Sequence, residues 1–353
     1  MLKTISNLPK WLTRGLVLPL LVLNGWLLIL VFEYFQSTIT IFATATLLSF
    51  ILDYPVRFLE KRGVKRAIAI LIVLLSGILL LSIIGVTVIP ILIDQLNGLL
   101  ERLPSYVASG SEQAKAFEIW ADERNFPVSV SSIVTDALGR VYYQLQQLSG
   151  QILGSFFSVL GSIIDLLLTI VLTFYLLLHG SQLWSDLFQL FPDETGDKIR
   201  DSLKRTFNNY FGGQLTVASV MGVTITITFF IIQVPFALLF GLVVGIMALF
   251  PFGAGLSISV VSFIMALKSI WLGLRVLAIA FVIEQIVESV IAPRLLGEFT
   301  GLNPVLILVA LLIGAQLGGF LGLILAVPAT SFIKSLFTIF KSDSKHLELP
   351  AKV

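Results

Sequence analysis

Two carboxylates four residues apart, Glu284 and Glu288, lie in a run that is otherwise almost wholly apolar, with Gln285 between them. On a helix, positions i and i+4 share a face. Close carboxylates repel when both are ionised, so one of such a pair takes up a proton or shares a cation near neutral pH. That is the chemistry of an ion-coupled carrier. A third acid, Asp165, falls near the middle of another apolar run, 152–178. An acidic residue at bilayer depth costs about 3 kcal/mol on insertion scales, and it usually faces a cavity or a partner. Each acid also has a structural reading. Glu288 lies close to Pro293-Arg294 and could pair with a cation at the interface, and Asp165 could bond a neighbouring helix. Lys268 and Arg275 either meet these acids or snorkel to a membrane surface.

The elements that must hold these groups are membrane helices. Of 353 residues, 57% are hydrophobic and only 12% are charged, and the mean hydropathy is +0.98. A soluble domain carries about 25% charged residues. With half that fraction, the surface must face lipid. The length allows roughly eight spans of about 20 residues each plus two polar insertions. A net charge of +2 argues against a nucleic-acid surface. With no cysteine and only His179 and His346, neither disulfides nor a thiolate or histidine metal cluster is expected, and no cofactor.

Read in order, residues 1–93 hold three spans: 15–32, about 37–52 and about 67–93. Lys3, Lys10 and Arg14 precede the first, and no small-residue cleavage site follows it. Arg57, Lys61, Arg62, Lys65 and Arg66 follow the second and place that end in the cytoplasm. Residues 94–150 hold seven acidic and four basic residues and read as an extracytoplasmic helical insertion. Leu92, Leu96, Leu99 and Leu103 recur at helical spacing, as do Ile133, Ala137, Val141, Leu145 and Leu148, with Pro104 and Pro127 as punctuation. The fourth span fills 151–178. Residues 179–211 return to the cytoplasm as an amphipathic helix, with Ile199, Leu203, Phe207 and Tyr210 on its apolar face and Lys198, Arg200, Lys204 and Arg205 on its basic face. Such a helix suits the membrane interface.

The transport unit is expected in 212–340, with 341–353 as a cytoplasmic tail. After a span at about 212–233, residues 235–267 would make one straight helix of about 50 Å, against a hydrocarbon core of about 30 Å. Phe250-Pro251-Phe252-Gly253 interrupts it near the middle. Pro235, Gly245 and Gly253 recur as Pro304, Gly314 and Gly322 at a constant offset of 69 residues. Both stretches read as re-entrant helical hairpins, or else as broken full spans, and charge counting satisfies either. As hairpins, the two span-plus-hairpin units would be inverted relative to each other, an arrangement that marks the binding site in many secondary transporters. Asn303-Pro304 would open the second hairpin with exposed backbone N–H groups, and Gly318 and Gly319 would allow close backbone approach.

These residues resemble the autoinducer-2 exporter family. The match rests on Tyr210-Phe211-Gly212-Gly213-Gln214, Pro251-Phe252-Gly253, Pro293-Arg294-Leu295-Leu296-Gly297 and Leu302-Asn303-Pro304. It rests most on Leu312 through Gly322, which includes Gly314, Gln316, Gly318 and Gly319, closed by Ala326-Val327-Pro328. The resemblance implies an all-α polytopic membrane transporter of about eight segments, whose relatives are associated with autoinducer-2 export or sodium–proton antiport.

The expectation is therefore a secondary transporter in the plasma (inner) membrane, with both termini cytoplasmic. It would move a small polar solute outward, coupled to a proton or sodium ion. A sodium–proton antiporter and a non-transporting scaffold are the alternatives. Carriers of this kind often form oligomers through their scaffold spans, which leaves a homo-oligomer open. An enzyme has no support: the chain lacks His-Glu-x-x-His, Gly-x-Ser-x-Gly and the phosphate-binding loop of an ATP-driven pump.

Overall fold

The computed structural model describes residues 33–124, 163–188, 193–296 and 302–347, with short stretches before Glu33 and single positions at Tyr143 and Gln147. Most of the expected first span, the second half of the 94–150 insertion, residues 151–162, the 189–192 link, residues 297–301 and the end of the tail lie outside the described residues.

All regular structure among the described residues is helical. We number the helices α1 Gln36–Glu60, α2 Arg66–Asp122, α3 Ile163–Phe188, α4 Asp193–Ile231, α5 Ala237–Met247, α6 Gly253–Lys268, α7 Ile270–Ile286, α8 Ala292–Leu296 and α9 Pro304–Leu347. A π-helical turn, Val287–Ile291, joins α7 to α8. Six helical segments are long and apolar enough to cross a membrane, while α5 and α6 are shorter apolar helices. The chain is a polytopic all-α membrane protein. Its outward side chains agree: Leu75, Leu79, Leu81 and Val86 of α2 are between 62% and 77% exposed. In water such a stripe would be a liability, but in lipid it is the ordinary surface.

Two helices are longer than the sequence suggests. Pro104 does not punctuate the insertion: α2 runs through both Pro90 and Pro104 for 57 residues. The reason is packing. Leu99, Leu103 and Tyr106 are buried in the cluster built from α4 to α7, which outweighs the hydrogen bond each proline removes. The leucine face expected in a separate cap thus lies on the C-terminal helices. The amphipathic helix and the fifth span are likewise one helix, α4, of 39 residues. Gly212-Gly213 costs helix propensity, about 1 kcal/mol per glycine, but Tyr210 and Phe211 just before it are anchored against Leu302 and Val327 of the last segment. The stripe expected to lie on head groups instead turns into the protein, with Ile199 and Tyr210 both buried.

The core sits in the C-terminal half. The second half of α4 runs antiparallel to α5, with Gly222 against Gly245 and Thr226 against Gly241. A Cβ on Gly245 would stand 2.8 Å from the Gly222 Cα. This is the small-residue interface by which helices approach closely in lipid. Helices α6 and α7 form a second antiparallel pair, with Gly273 against Ala266 around the break at Ser269. Helix α9 is two arms: Gly318 and Gly319 leave helical geometry, and the Gly314 and Gly322 backbones then touch. Eight residues of straight helix would separate them by about 12 Å, so the chain reverses there. Gly319, at φ 55° and ψ −131°, holds a conformation open in practice only to glycine.

The glycine interface gives a direct test. Gly245→Val should destabilise the protein by about 1–3 kcal/mol through overpacking, read as a lower thermal unfolding midpoint in detergent. Gly77→Ala on α2, where an added Cβ has nothing within 4 Å, should leave the midpoint unchanged or raise it slightly.

Candidate functional site

The carboxylate at 284 is positioned by the register between α6 and α7. Counting from the Ala266–Gly273 contact, an antiparallel pair brings residue 255 opposite residue 284. The Glu284 Oε1 accordingly lies 3.0 Å from where a Gly255 Cβ would be. Any side chain at 255 would displace it. Glu284 is 8% exposed, and no hydrogen bond or ion pair with a described residue engages it. Lys268 and Arg275, the cations that the sequence set beside it, therefore do not pair with it. A buried carboxylate with no partner among the described residues is costly as a bare anion.

Glu288 has a different setting. Helix α7 gives way to π winding at Val287, which adds a residue to the turn. Val287 takes the buried position, 2% exposed, while Glu288 and Gln285 are exposed. The equal-face arrangement expected from i, i+4 spacing becomes one buried acid and one exposed acid. Asp165 lies near the start of the described part of α3, exposed. That helix packs on α1 and α2 through Phe174, Leu177 and Leu178, in a cluster separate from the one that contains α7.

Glu284 sits behind the turn 248–252 that joins α5 to α6. Pro251 lies in that turn and Gly253 opens α6, tucked against the Met247 carbonyl. Phe252 occupies the left-handed region at φ 64° and is 57% exposed. The Gln214 amide of α4 donates to the Ala248 carbonyl at 2.6 Å. The turn also touches the other reversal: the Phe250 and Phe320 rings meet edge to face, with centroids 5.6 Å apart. So the tips 248–252 and 318–320 meet, with Glu284 on the helix behind the first.

The remaining candidates distribute around the second reversal. Gly314 and Gly322 form the close contact between its arms, and Gly318 and Gly319 are its tip. Gln316 is exposed two residues before the tip. Pro304 is the first residue of α9, and the Asn303 side chain accepts the Val305 N–H at 2.9 Å. That amide caps the helix end which the sequence left open to a solute. Gln214 entered the sequence reading only as the last residue of a family motif, and Gly255 was not singled out. A lone amide after Gly212-Gly213 in an apolar run was the signal for the first. For Gly255 there was none, because its role depends on which helix lies opposite. Among the described residues, no group of three or more histidine or acidic side chains is placed to hold a metal ion.

Known proteins place this architecture. A Synechocystis protein carrying the name of a candidate transport protein is 41% identical over 332 residues, covering 94% of this chain and 96% of its own. A second from the same organism is 42% identical, covering 94% and 86%. A candidate permease of Escherichia coli K12, PerM, is 23% identical over 86% of this chain and 87% of its own. The family model described as AI-2E family transporter matches residues 16–342. The chain belongs to the AI-2E family of membrane transporters.

Proposed function

We propose that the protein is a secondary transporter that exports a small polar solute, of the autoinducer-2 kind, coupled to a proton or sodium ion at Glu284. The observation that carries this reading is the buried Glu284 carboxylate, without a partner among the described residues, behind the meeting point of two interrupted helical elements. An ionised carboxylate removed from water costs several kcal/mol. A proton or sodium ion cancels that cost, so the tips close more readily over an occupied site than over an empty one. That difference between two states is what coupling requires. Glu288, Gln285 and Gln316, all exposed, are suited to the approach to the site, and Asp165 to a separate supporting role. Sodium–proton antiport without a solute uses the same carboxylate and is the second reading.

The two interrupted elements serve as re-entrant hairpins of opposite orientation. Helix α5 is 11 residues and the first arm of α9, 304–317, is 14, about 16 and 21 Å, too short for a core of about 30 Å. Both ends of the α5–α6 pair meet the polar arm of α2. Gln95 accepts the Leu239 N–H at 2.9 Å, and Gln113 accepts the Ile270 N–H at 2.9 Å. Both arms of α9 instead meet the first half of α4: Ile307 and Leu311 of the first arm and Val327 of the second pack around Tyr210 and Phe211, with Leu302 just before the helix. With the Arg57–Arg66 end in the cytoplasm, the first hairpin opens outward and the second inward. Both termini are then cytoplasmic and the membrane is the plasma membrane.

Two measurements test this. In proteoliposomes with an imposed proton gradient, Glu284→Gln should lower gradient-driven solute or cation flux at least about tenfold, about 1.4 kcal/mol in the barrier, with Glu288→Gln costing less. Sodium-driven acidification without any solute would favour the antiporter. Wild-type flux in Glu284→Gln would sink the coupling role, and a fixed protein partner with no flux at all would favour a scaffold. For topology, the chain has no native cysteine, so Ile231→Cys and Lys268→Cys can be labelled singly in cells. Both should react with an impermeant reagent from the outer side. Reaction from opposite sides would make α5–α6 a broken span.

A further inference from the structure

A cavity of about 130 Å³ opens between α1, the start of α2, α3 and the first half of α4, away from Glu284. Its charged lining is Asp53, Arg57, Arg66, Arg200, Asp201 and Lys204, with the hydroxyls of Thr46 and Ser49 on one wall. Four cations thus share the cavity with two acids. One acid is already committed: Asp53 binds Arg57 Nε at 2.7 Å and reaches Arg66 at 3.6 Å. Arg66 is committed too. It donates to the Leu177 carbonyl at 2.7 and 3.1 Å and to Glu60 at 3.2 Å, which makes it a structural strut.

The other three cations are not saturated. Among the described residues, Arg57 pairs through its Nε with Asp53, and Arg200 has only distant acids, Asp197 at 3.8 Å and Asp201 at 4.0 Å. Lys204 has no carboxylate within ion-pair distance among the described residues. Asp53 and Asp201 offset two of these four positive charges, and the excess that remains favours a further anion in the cavity. The hydroxyls do not fill that role: Ser49 and Thr46 donate to carbonyls of their own helix. The unused donors of Arg57, Arg200 and Lys204 belong to two different helices and converge on the same space. That is the donor set which binds a phosphate group, through forked guanidinium bonds and a point-charge ammonium.

We infer that this cavity binds a phosphate-bearing anion, either the head group of an anionic lipid or a small soluble phosphate compound. The site does not depend on the transport reading, since none of its residues touches Glu284 or the two tips.

The test uses the purified full chain in a neutral maltoside detergent, at fixed ionic strength set with sodium chloride. Inorganic phosphate is titrated in one arm and phosphatidylglycerol in the other, and the thermal unfolding midpoint is followed. A saturable rise is expected in at least one arm. Phosphate alone would identify a soluble ligand, and phosphatidylglycerol alone a lipid. Lys204→Gln should weaken the apparent affinity about tenfold, the loss of one charge-assisted contact, and Arg200→Gln should do the same and stands in if the first variant does not fold. Arg205→Gln removes the same charge one residue away, outside the cavity lining, and should bind as wild type. No saturable response in either arm, or an equal loss in Arg205→Gln, would overturn the site.

Discussion

A helix that ends leaves backbone N–H and C=O groups without intrahelical partners, and in or beside a bilayer the protein must supply many of those partners itself. This chain breaks its helices repeatedly between Ile231 and Pro304, and the breaks are covered by amides. Gln95 takes the Leu239 N–H at the start of α5, and Gln214 bonds the Ala248 carbonyl at its end. Gln113 spans the Ser269 break, donating to the Leu267 carbonyl at 3.0 Å while accepting the Ile270 N–H. Asn303 closes the start of α9. A primary amide suits this work because it both donates and accepts without carrying charge. The length of α2 follows from the same need: only a helix that continues past Pro104 brings Gln113 to that break. The arm that looked like an appended domain is part of what makes the interrupted unit possible.

The same constraint explains which features were legible in the sequence. Breaks within apolar runs were visible, because proline and glycine in such a run have few other uses. Pro251-Phe252-Gly253 and Gly318-Gly319 indeed mark the two reversals. The offset of 69 residues carries Leu249-Phe250 of the first turn onto Gly318-Gly319 of the second. The glycines matched at that offset do different work, however. Gly245 packs on Gly222 of α4, whereas Gly314 packs on Gly322 of its own hairpin. Composition pointed to small residues at contacts, but the partner is a tertiary fact. The continuity of α2 and α4 was hidden for the related reason that local propensity at Pro104 and Gly212-Gly213 argued for ends. The contacts that override it come from residues more than 90 positions away, Leu302 and Val327 for α4 and the α4–α7 cluster for α2.

Glu284 and Glu288 show where a spacing rule fails. Four-residue spacing puts two acids on one face only while the winding stays at 3.6 residues per turn. The π turn that begins at Val287 changes the winding within the pair. Nothing in the sequence Val-Glu-Ser-Val-Ile announces it. Its consequence is chemical: one acid is removed from solvent and set against the bare backbone of Gly255, and the other is left exposed. Two similar carboxylates thereby acquire different electrostatic surroundings, which is how proteins assign different tasks to identical groups.

Magnitudes then decide which part of the unit moves under the proposed mechanism. The helix pairs α4–α5 and α6–α7 meet backbone to backbone through glycine, and a packed interface of that kind resists deformation. The two tips are joined through a single edge-to-face ring pair, Phe250 with Phe320, worth about 0.5–1.5 kcal/mol. Phe252 beside it carries a further strain of about 1–3 kcal/mol in its left-handed backbone. Against these stands the several kcal/mol that separate a bare buried carboxylate from an occupied one. The occupancy of Glu284 is the largest of the three terms, and Gly255 couples it directly to the first tip. On the proposed mechanism the tips therefore part or meet according to the ion, while the glycine-packed pairs move as rigid bodies or stay still.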